Sequence, residues 1–189
     1  MGPEATSRTS DSPDEVPEPG RMLSEFRNSD LCRHIAFFYD SLDAQLAVSA
    51  AFVKHEFQRD RRVLYLYDDN GVADITVALR AAEIDVERRL ADGDLRIEDA
   101  ADVYLDGDFD PDSMIESLDD ATAAALDAGY SGLSVAGENT WCFHTERSFD
   151  HVLDFESQFD AHAPDLPITT LCQYSLDRFD QRSIGKALW

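Results

Sequence analysis

Apolar residues recur along the chain in two alternating patterns from about residue 30 onward. Runs of consecutive apolar and aromatic residues, bounded by Asp, Ser, Asn or Gly, are typical of strands buried on both faces. Such runs occupy residues 34–39, 62–67, 132–136 and 167–174, and residues 94–99 alternate as a more exposed strand does. The pattern therefore predicts five strands.

Between these runs, apolar residues repeat every three or four positions, which is the spacing of an amphipathic helix. The spacing predicts helices over 42–57, 75–82, 86–90, 111–129 and 149–159, with a weaker one over 178–189. Ser41 suits an N-cap, Pro111 suits a first helical turn, and Gly129 suits a helix end. Residues 104–111, YLDGDFDP, predict a loop.

Strands separated by helices, without short hairpin turns, predict the α/β class: a three-layer sandwich with a mostly parallel central sheet. In such sheets ligands bind beyond the carboxyl ends of the strands. These ends carry Tyr39-Asp40, Tyr67-Asp68, Asp99, Gly137-Glu138 and Gln173-Tyr174. This geometry alone places the candidate site at that edge.

Residues 1–28 differ from the rest, because they combine four of the seven prolines with few large apolar side chains before Met22. Such a segment buries too little surface to offset its ordering entropy, so we expect disorder over 1–28 and a folded domain over 29–189. No apolar run reaches the length of a membrane span, and residues 1–28 contain no apolar stretch of the kind found in signal peptides, so we expect neither feature. We therefore expect a cytoplasmic protein.

The chain is strongly acidic, with a formal net charge of −23 from 39 Asp and Glu against 16 Lys and Arg. This charge argues against direct nucleic-acid binding, which needs Lys and Arg clusters. Only Lys54 and Lys186 are lysines, and the acidic residues are spread over the chain. We expect a salt-adapted surface of haloarchaeal type; the alternative is an acidic surface for a cationic partner.

The candidate chemistry is sparse. Residues 38–45, FYDSLDAQ, follow the first strand without the Gly and Lys of a phosphate-binding loop, so we expect neither tight ATP binding nor hydrolysis. Three cysteines at wide spacing indicate reduced thiols rather than disulfides or a zinc pattern. Because His144, His151 and His162 are not spaced as a ligand cluster, we expect no metal and no cofactor.

Aromatic and polar residues coincide at the predicted strand ends. Glu138 follows a buried strand, and its carboxylate could serve as a general base, a ligand acceptor or a helix cap. Tyr39, Trp141 and Tyr174 supply flat apolar surface, and Gln173 can both donate and accept. Together they predict an amphipathic pocket for a small molecule with one polar end.

Six ordered blocks carry a family resemblance: HIAFFYDS, RVLYLYDDN, EIDVERRLADGDLRI, VYLDGDFDPDSMI, GYSGLSVAGENTW and LCQYSLDRF. Across about residues 31–179 they resemble the MEDS family, the DcmR-type sensory domain of methanogens and methylotrophs. The resemblance implies a relative of the KaiC/RecA-like fold that lacks the phosphate-binding loop, and a sensor of small molecules such as hydrocarbon derivatives.

The family's motifs fall on residues already selected at the strand ends. Its opening motif matches His34, Ile35, Phe38 and Tyr39, its GE-x-[ST]-W motif matches residues 137–141, and its CQY matches residues 172–174. The candidate ligand-binding residues are His34, Phe38, Tyr39, Asp40, Tyr67, Glu138, Trp141, Glu156, Gln173 and Tyr174.

Three functions remain open. The leading hypothesis is a stand-alone, non-enzymatic sensor of a small apolar or amphipathic ligand in signal transduction or transcriptional regulation. Family members are often fused to a kinase or DNA-binding domain. These 189 residues show neither, so we expect this domain to signal through a partner protein. The alternatives are a ligand-free interaction scaffold and an enzyme that uses Glu138 as a base. Homo-oligomerisation is left open.

Overall fold

Five parallel strands form the centre of the molecule. The computed structural model describes residues 33–104, 110–144, 149–163 and 166–179. The strands are β1 (His34–Tyr39), β2 (Arg62–Tyr67), β3 (Leu95–Asp99), β4 (Leu133–Glu138) and β5 (Ile168–Ser175). Their order in the sheet is β1-β5-β4-β2-β3, and every neighbouring pair is parallel.

Helices connect the strands. They are α1 (Leu42–Gln58), α2 (Val72–Ala81), α3 (Val86–Asp92), α4 (Ala100–Tyr104), α5 (Pro111–Asp127), a 3-10 helix (Asn139–His144) and α6 (Phe149–His162). As the sequence predicts, the Ser41 hydroxyl accepts the backbone N–H of Ala44, and Pro111 begins α5, where Asp110 is the N-cap.

The helices cover both faces of the sheet, which confirms the α/β sandwich. On one face, here called the α1 face, helices α1 to α3 bury Phe52, Tyr65, Ile75 and Leu79. On the other, here called the α6 face, helices α4 to α6 bury a second cluster that includes Leu118, Trp141, Phe155 and Phe159. Because strand side chains alternate between faces, β2 contributes Tyr65 to one cluster and Leu66 to the other.

Two short elements are absent from the sequence prediction. Helix α4 begins directly after β3, where the Asp99 carboxylate accepts the backbone N–H of Ala101 at 2.8 Å. The 3-10 helix follows β4 and is too short to show a helical period. The expected disordered segment 1–28 and most of the expected helix over 178–189 lie outside the described residues. Among the helices described, none combines the length and apolar character that crossing a membrane requires.

Candidate functional site

The carboxyl ends of all five strands meet at one edge of the sheet. There, Phe38 of β1 is in register with Tyr174 of β5, and Glu138 of β4 with Gln173 of β5. Neighbouring strands β4 and β2 continue into helices on opposite faces, α6 and α2 respectively. Such a switch point leaves a crevice in which ligands of parallel sheets bind.

Strand alternation divides the candidate residues between the two faces. Gln173 and Tyr174 are consecutive on β5, so one side chain contacts α1 while the other contacts α6. Tyr39, Tyr67, Glu138 and Gln173 belong to the α1 face, whereas His34, Phe38, Glu156 and Tyr174 belong to the α6 face. The single pocket expected around Glu138, Trp141 and Tyr174 is therefore split into two networks.

Glu138 is the centre of the α1-face network. Its side chain has no exposed surface, and Oε2 accepts the backbone N–H groups of Asp68 at 3.0 Å and Asn70 at 3.3 Å. Oε1 accepts the Asn70 side-chain amide at 2.6 Å. The carboxylate therefore holds the loop between β2 and α2 in place. Of the three roles that the sequence allows for Glu138, these contacts match capping.

A series of side-chain amides extends this network along the α1 face, from the loop after β2 to β5. Asn70 Nδ2 also donates to Gln45 Oε1 at 2.8 Å, and Gln45 Nε2 donates to Gln173 Oε1 at 3.0 Å. The Ser49 hydroxyl donates to the same Gln173 oxygen at 2.9 Å. Sequence reasoning missed Gln45, Ser49 and Asn70. A signal for the first two exists, because they lie four residues apart on the apolar side of α1.

Burial sets the protonation of this network. It raises the pKa of Glu138 above its ordinary value, and the N–H donors of Asp68 and Asn70 offset that only in part. Burial also raises the pKa of Tyr39, with the nearby Glu138 charge adding to the effect. Both hydroxyl and carboxyl groups therefore favour their neutral forms more than they would in water.

Glu156 of α6 is the centre of the second network. Its Oε2 lies 2.6 Å from His34 Nε2, and its Oε1 accepts the Tyr174 hydroxyl at 2.7 Å and the Asn139 side-chain amide at 3.0 Å. Cys172 Sγ lies 3.4 Å from the same His34 nitrogen. Asn139 and Cys172 were not among the candidate ligand-binding residues, although Cys172 lies within the CQY block.

Aromatic rings surround this polar centre. Phe38 stacks on Tyr174 with ring centroids 5.2 Å apart, and the edge of Phe179 meets Tyr174 at 5.3 Å. The His34 ring meets Phe159 edge to face at 5.1 Å. The α6 face therefore combines one carboxylate, several donors and a flat apolar surface, which is the composition expected of an amphipathic site.

Glu156 and burial act in opposite directions on the protonation of His34. Burial by itself lowers the pKa of His34, but the hydrogen bond and charge of Glu156 outweigh it, so the net pKa is raised. Burial, reinforced by the Glu156 charge, raises the pKa of Cys172 and of Tyr174 well above their ordinary values. The thiol and the phenol are therefore held protonated.

None of the contacts described above joins Trp141 or Asp40 to either network. Trp141 is 1% exposed and stacks on Tyr104 with ring centroids 4.6 Å apart, inside the core of the α6 face. Asp40 is exposed between β1 and α1, next to Ser41, the N-cap of α1. That connection has no glycine or lysine with which to hold a phosphate.

A cavity of about 280 Å³ lies at the opposite edge of the molecule, between the end of α1 and residues 83–89. The Lys54 ammonium pairs there with Glu83 at 2.9 Å, and the Arg89 guanidinium lies over the Phe57 ring. This cavity is remote from both carboxylate networks and carries mixed charge, so it does not extend the candidate site.

The fold and the site define a parallel α/β domain with a polar centre on each face and no phosphate-binding loop after its first strand. Its family is identified by a family model that matches residues 33–189, described as MEDS, the methanogen/methylotroph DcmR sensory domain. The chain therefore belongs to the MEDS family of sensory domains. The comparison with curated proteins gives no match.

Proposed function

We propose that this chain is a non-enzymatic sensory domain that binds a small, partly apolar molecule on its α6 face. The observation that carries the proposal is the Glu156 carboxylate, which lies among aromatic rings at the carboxyl edge of a parallel sheet. Membership of a sensory domain family supports the same reading. Glu156, rather than Glu138, is the carboxylate that shares a face with Tyr174 and Trp141.

The chemistry of this face indicates an amphipathic ligand. Phe38 and Tyr174 offer flat apolar area, whose burial contributes roughly 25 cal/mol per Å². Glu156 can exchange its internal donors for the polar end of a ligand, because the groups that now satisfy it are side chains rather than backbone. A hydrocarbon derivative with one hydroxyl or amino group fits this description.

The proposed output passes through a partner protein in the cytoplasm. A ligand that takes the place of Tyr174 or Asn139 at Glu156 alters the 3-10 helix, because Asn139 begins it. Phe143 of the same helix is 44% exposed, so a shift of this helix changes a surface that a partner protein can contact. We propose that this partner acts in signal transduction or transcriptional control, without direct contact between this domain and nucleic acid.

Catalysis by Glu138 is the less favoured reading. Its oxygens face backbone and side-chain donors of one loop, and no surface of the side chain is open to a substrate. A general base must lie within hydrogen-bond reach of the proton that it removes.

A second candidate function is a ligand-free interaction scaffold. The full satisfaction of Glu138 and the packing of Trp141 on Tyr104 favour it, because both are features of a closed core. Exposed Phe143 and Leu176, at the carboxyl edge, would then be contact residues for the partner.

The test is native mass spectrometry of the full chain purified from the cells that make it. We expect a retained organic molecule in the wild type and in Glu138→Gln, and its loss in Glu156→Gln. The two substitutions are matched, since each neutralises one largely enclosed carboxylate and the two carboxylates lie on opposite faces. Circular dichroism of both variants establishes that they are folded.

Two results would contradict the proposal. A wild-type protein without any retained molecule supports the scaffold instead. Retention that is lost in Glu138→Gln but kept in Glu156→Gln moves the ligand to the α1 face and overturns the site proposed above.

A further inference from the structure

Three side chains with metal-binding atoms converge on the α6 face from three separate elements. His34 lies on β1, Cys172 on β5 and Glu156 on α6. His34 Nε2 is 2.6 Å from Glu156 Oε2 and 3.4 Å from Cys172 Sγ, and all three atoms lie within 4.8 Å of one another. The side chains of His34 and Glu156 are 13% and 12% exposed, so the group is largely enclosed.

We propose that His34, Cys172 and Glu156 form a site for one divalent transition-metal ion of the zinc class. Imidazole nitrogen, thiolate sulfur and carboxylate oxygen are the three ligand types that zinc takes in proteins. Three protein ligands leave one position of a tetrahedral ion open, as in sites that bind water or a small molecule. The inference goes beyond the sensory function and does not depend on it.

The distances suit such an ion with a small adjustment. Zinc bond lengths imply tetrahedral edges of about 3.6 Å between nitrogen and sulfur and about 3.3 Å between nitrogen and oxygen. The first matches the observed separation of His34 and Cys172. The second requires His34 and Glu156 to move apart by about 0.7 Å, as the ion replaces the hydrogen bond between them.

Outer contacts hold two of the ligands in the orientation that a metal needs. The other nitrogen of His34, Nδ1, lies 3.5 Å from Asp160 Oδ1, so Nε2 is the nitrogen that faces Cys172 and Glu156. Tyr174 and Asn139 both donate to Glu156 Oε1 and leave Oε2 directed at His34. A carboxylate behind the histidine and donors behind the acid are the usual second layer of a metal site.

The binding step needs no oxidant or reductant. The metal–sulfur bond forms as the Cys172 thiol releases its proton to solvent, and the metal–nitrogen bond forms as His34 Nε2 releases to solvent the proton that it shares with Glu156. Glu156 binds through Oε2 as a carboxylate. The ion supplies the positive charge that the buried thiolate otherwise lacks.

A strongly acidic chain also attracts cations at its surface. The test must therefore detect a bond between the metal and the Cys172 sulfur. Asp68, Asp69 and His144 form a second group of such atoms, but Asp69 and His144 are exposed there and Asp69 also pairs with Arg178 at 3.2 Å. Cobalt(II) separates the two, because only a thiolate ligand gives a sulfur-to-cobalt charge-transfer band in the near ultraviolet.

The experiment titrates chelator-treated, reduced full chain with cobalt(II) at high salt. We expect a charge-transfer band that saturates at one cobalt per chain and disappears when zinc is added. Cys172→Ser should abolish the band. Cys142→Ser is the matched control, because Cys142 is buried on the same face, outside the group, and its loss should leave the band unchanged.

The outcomes distinguish this proposal from the sensory one. A wild type without the band, or a band kept in Cys172→Ser, overturns the metal site, whether or not an organic molecule is retained. A band that vanishes in Cys172→Ser while circular dichroism shows a folded variant supports it. A band in a protein that retains no organic molecule supports the metal site and counts against the proposed function.

Discussion

At the scale of single residues, two carboxylates of the carboxyl edge differ in what surrounds them. Glu138 is held by two backbone N–H groups and one side-chain amide of a single loop, and Glu156 only by side chains, from three elements. Backbone donors cannot turn away without moving the loop, whereas a tyrosine hydroxyl or an amide can rotate. This difference is why we assign a structural role to the first and a binding role to the second.

The protonation of Glu138 predicts a pH dependence of stability. Burial raises the pKa of the folded-state carboxyl above its unfolded value of 4.5, so the folded chain holds this proton more tightly. The resulting stabilisation is fully present below the unfolded pKa and is lost as pH rises through the folded pKa. We therefore expect the free energy of unfolding of wild type, minus that of Glu138→Gln, to fall as pH rises from about 4.5 through the folded-state pKa of Glu138.

Denaturant unfolding at a series of pH values and constant high salt measures this difference. Glu116→Gln, on the exposed side of α5, is the control for the loss of one negative charge. A difference between wild type and Glu138→Gln that stays flat with pH would show that Glu138 has the same pKa in both states.

At the scale of elements, the start of β4 depends on a close approach between Gly132 and Pro167, the residues that precede β4 and β5. The backbone oxygen of Gly132 accepts the N–H of Arg62 at 3.1 Å, and Leu133 donates to Pro167 at 3.1 Å. A Cβ at position 132 would lie 2.1 Å from the Pro167 carbonyl oxygen. Only glycine leaves room for β5 to enter the sheet beside β4.

We therefore expect Gly132→Ala to destabilise the fold by about 1–3 kcal/mol, the usual cost of overpacking. Gly71→Ala is the control, because a Cβ there meets its nearest atom at an ordinary 3.7 Å. Chemical denaturation of both variants measures the effect. Equal stability of the two would mean that the strands separate at position 132 without cost.

At the scale of the whole molecule, the net charge predicts how stability depends on salt. A net charge of −23 on 189 residues repels itself, and salt reduces this repulsion because the Debye length falls from about 10 Å at 0.1 M to about 3 Å at 1 M. We expect a higher melting temperature in about 3 M than in about 0.1 M KCl, measured by circular dichroism. NaCl at equal ionic strength should act alike. The same melting temperature at both concentrations would contradict a salt-adapted fold.

Much of the architecture follows from the sequence alone. The strands expected at 34–39 and 62–67 have those bounds in the structure, and those expected at 94–99, 132–136 and 167–174 end or begin within two residues of the observed ones. Periodicity reports local burial, which each segment meets in its own backbone geometry. The carboxyl edge as the place of the candidate site follows in the same way, since parallel strands end together.

Tertiary structure alone decided which candidate residues meet. Neighbours in sequence such as Gln173 and Tyr174 are separated by the sheet, while His34 and Cys172, 138 residues apart, lie in contact. A histidine, a cysteine and a glutamate at such spacing show no metal motif in sequence. They converge because β5 pairs with β1 and α6 packs over both, and strand order is set by long-range packing that no local pattern encodes.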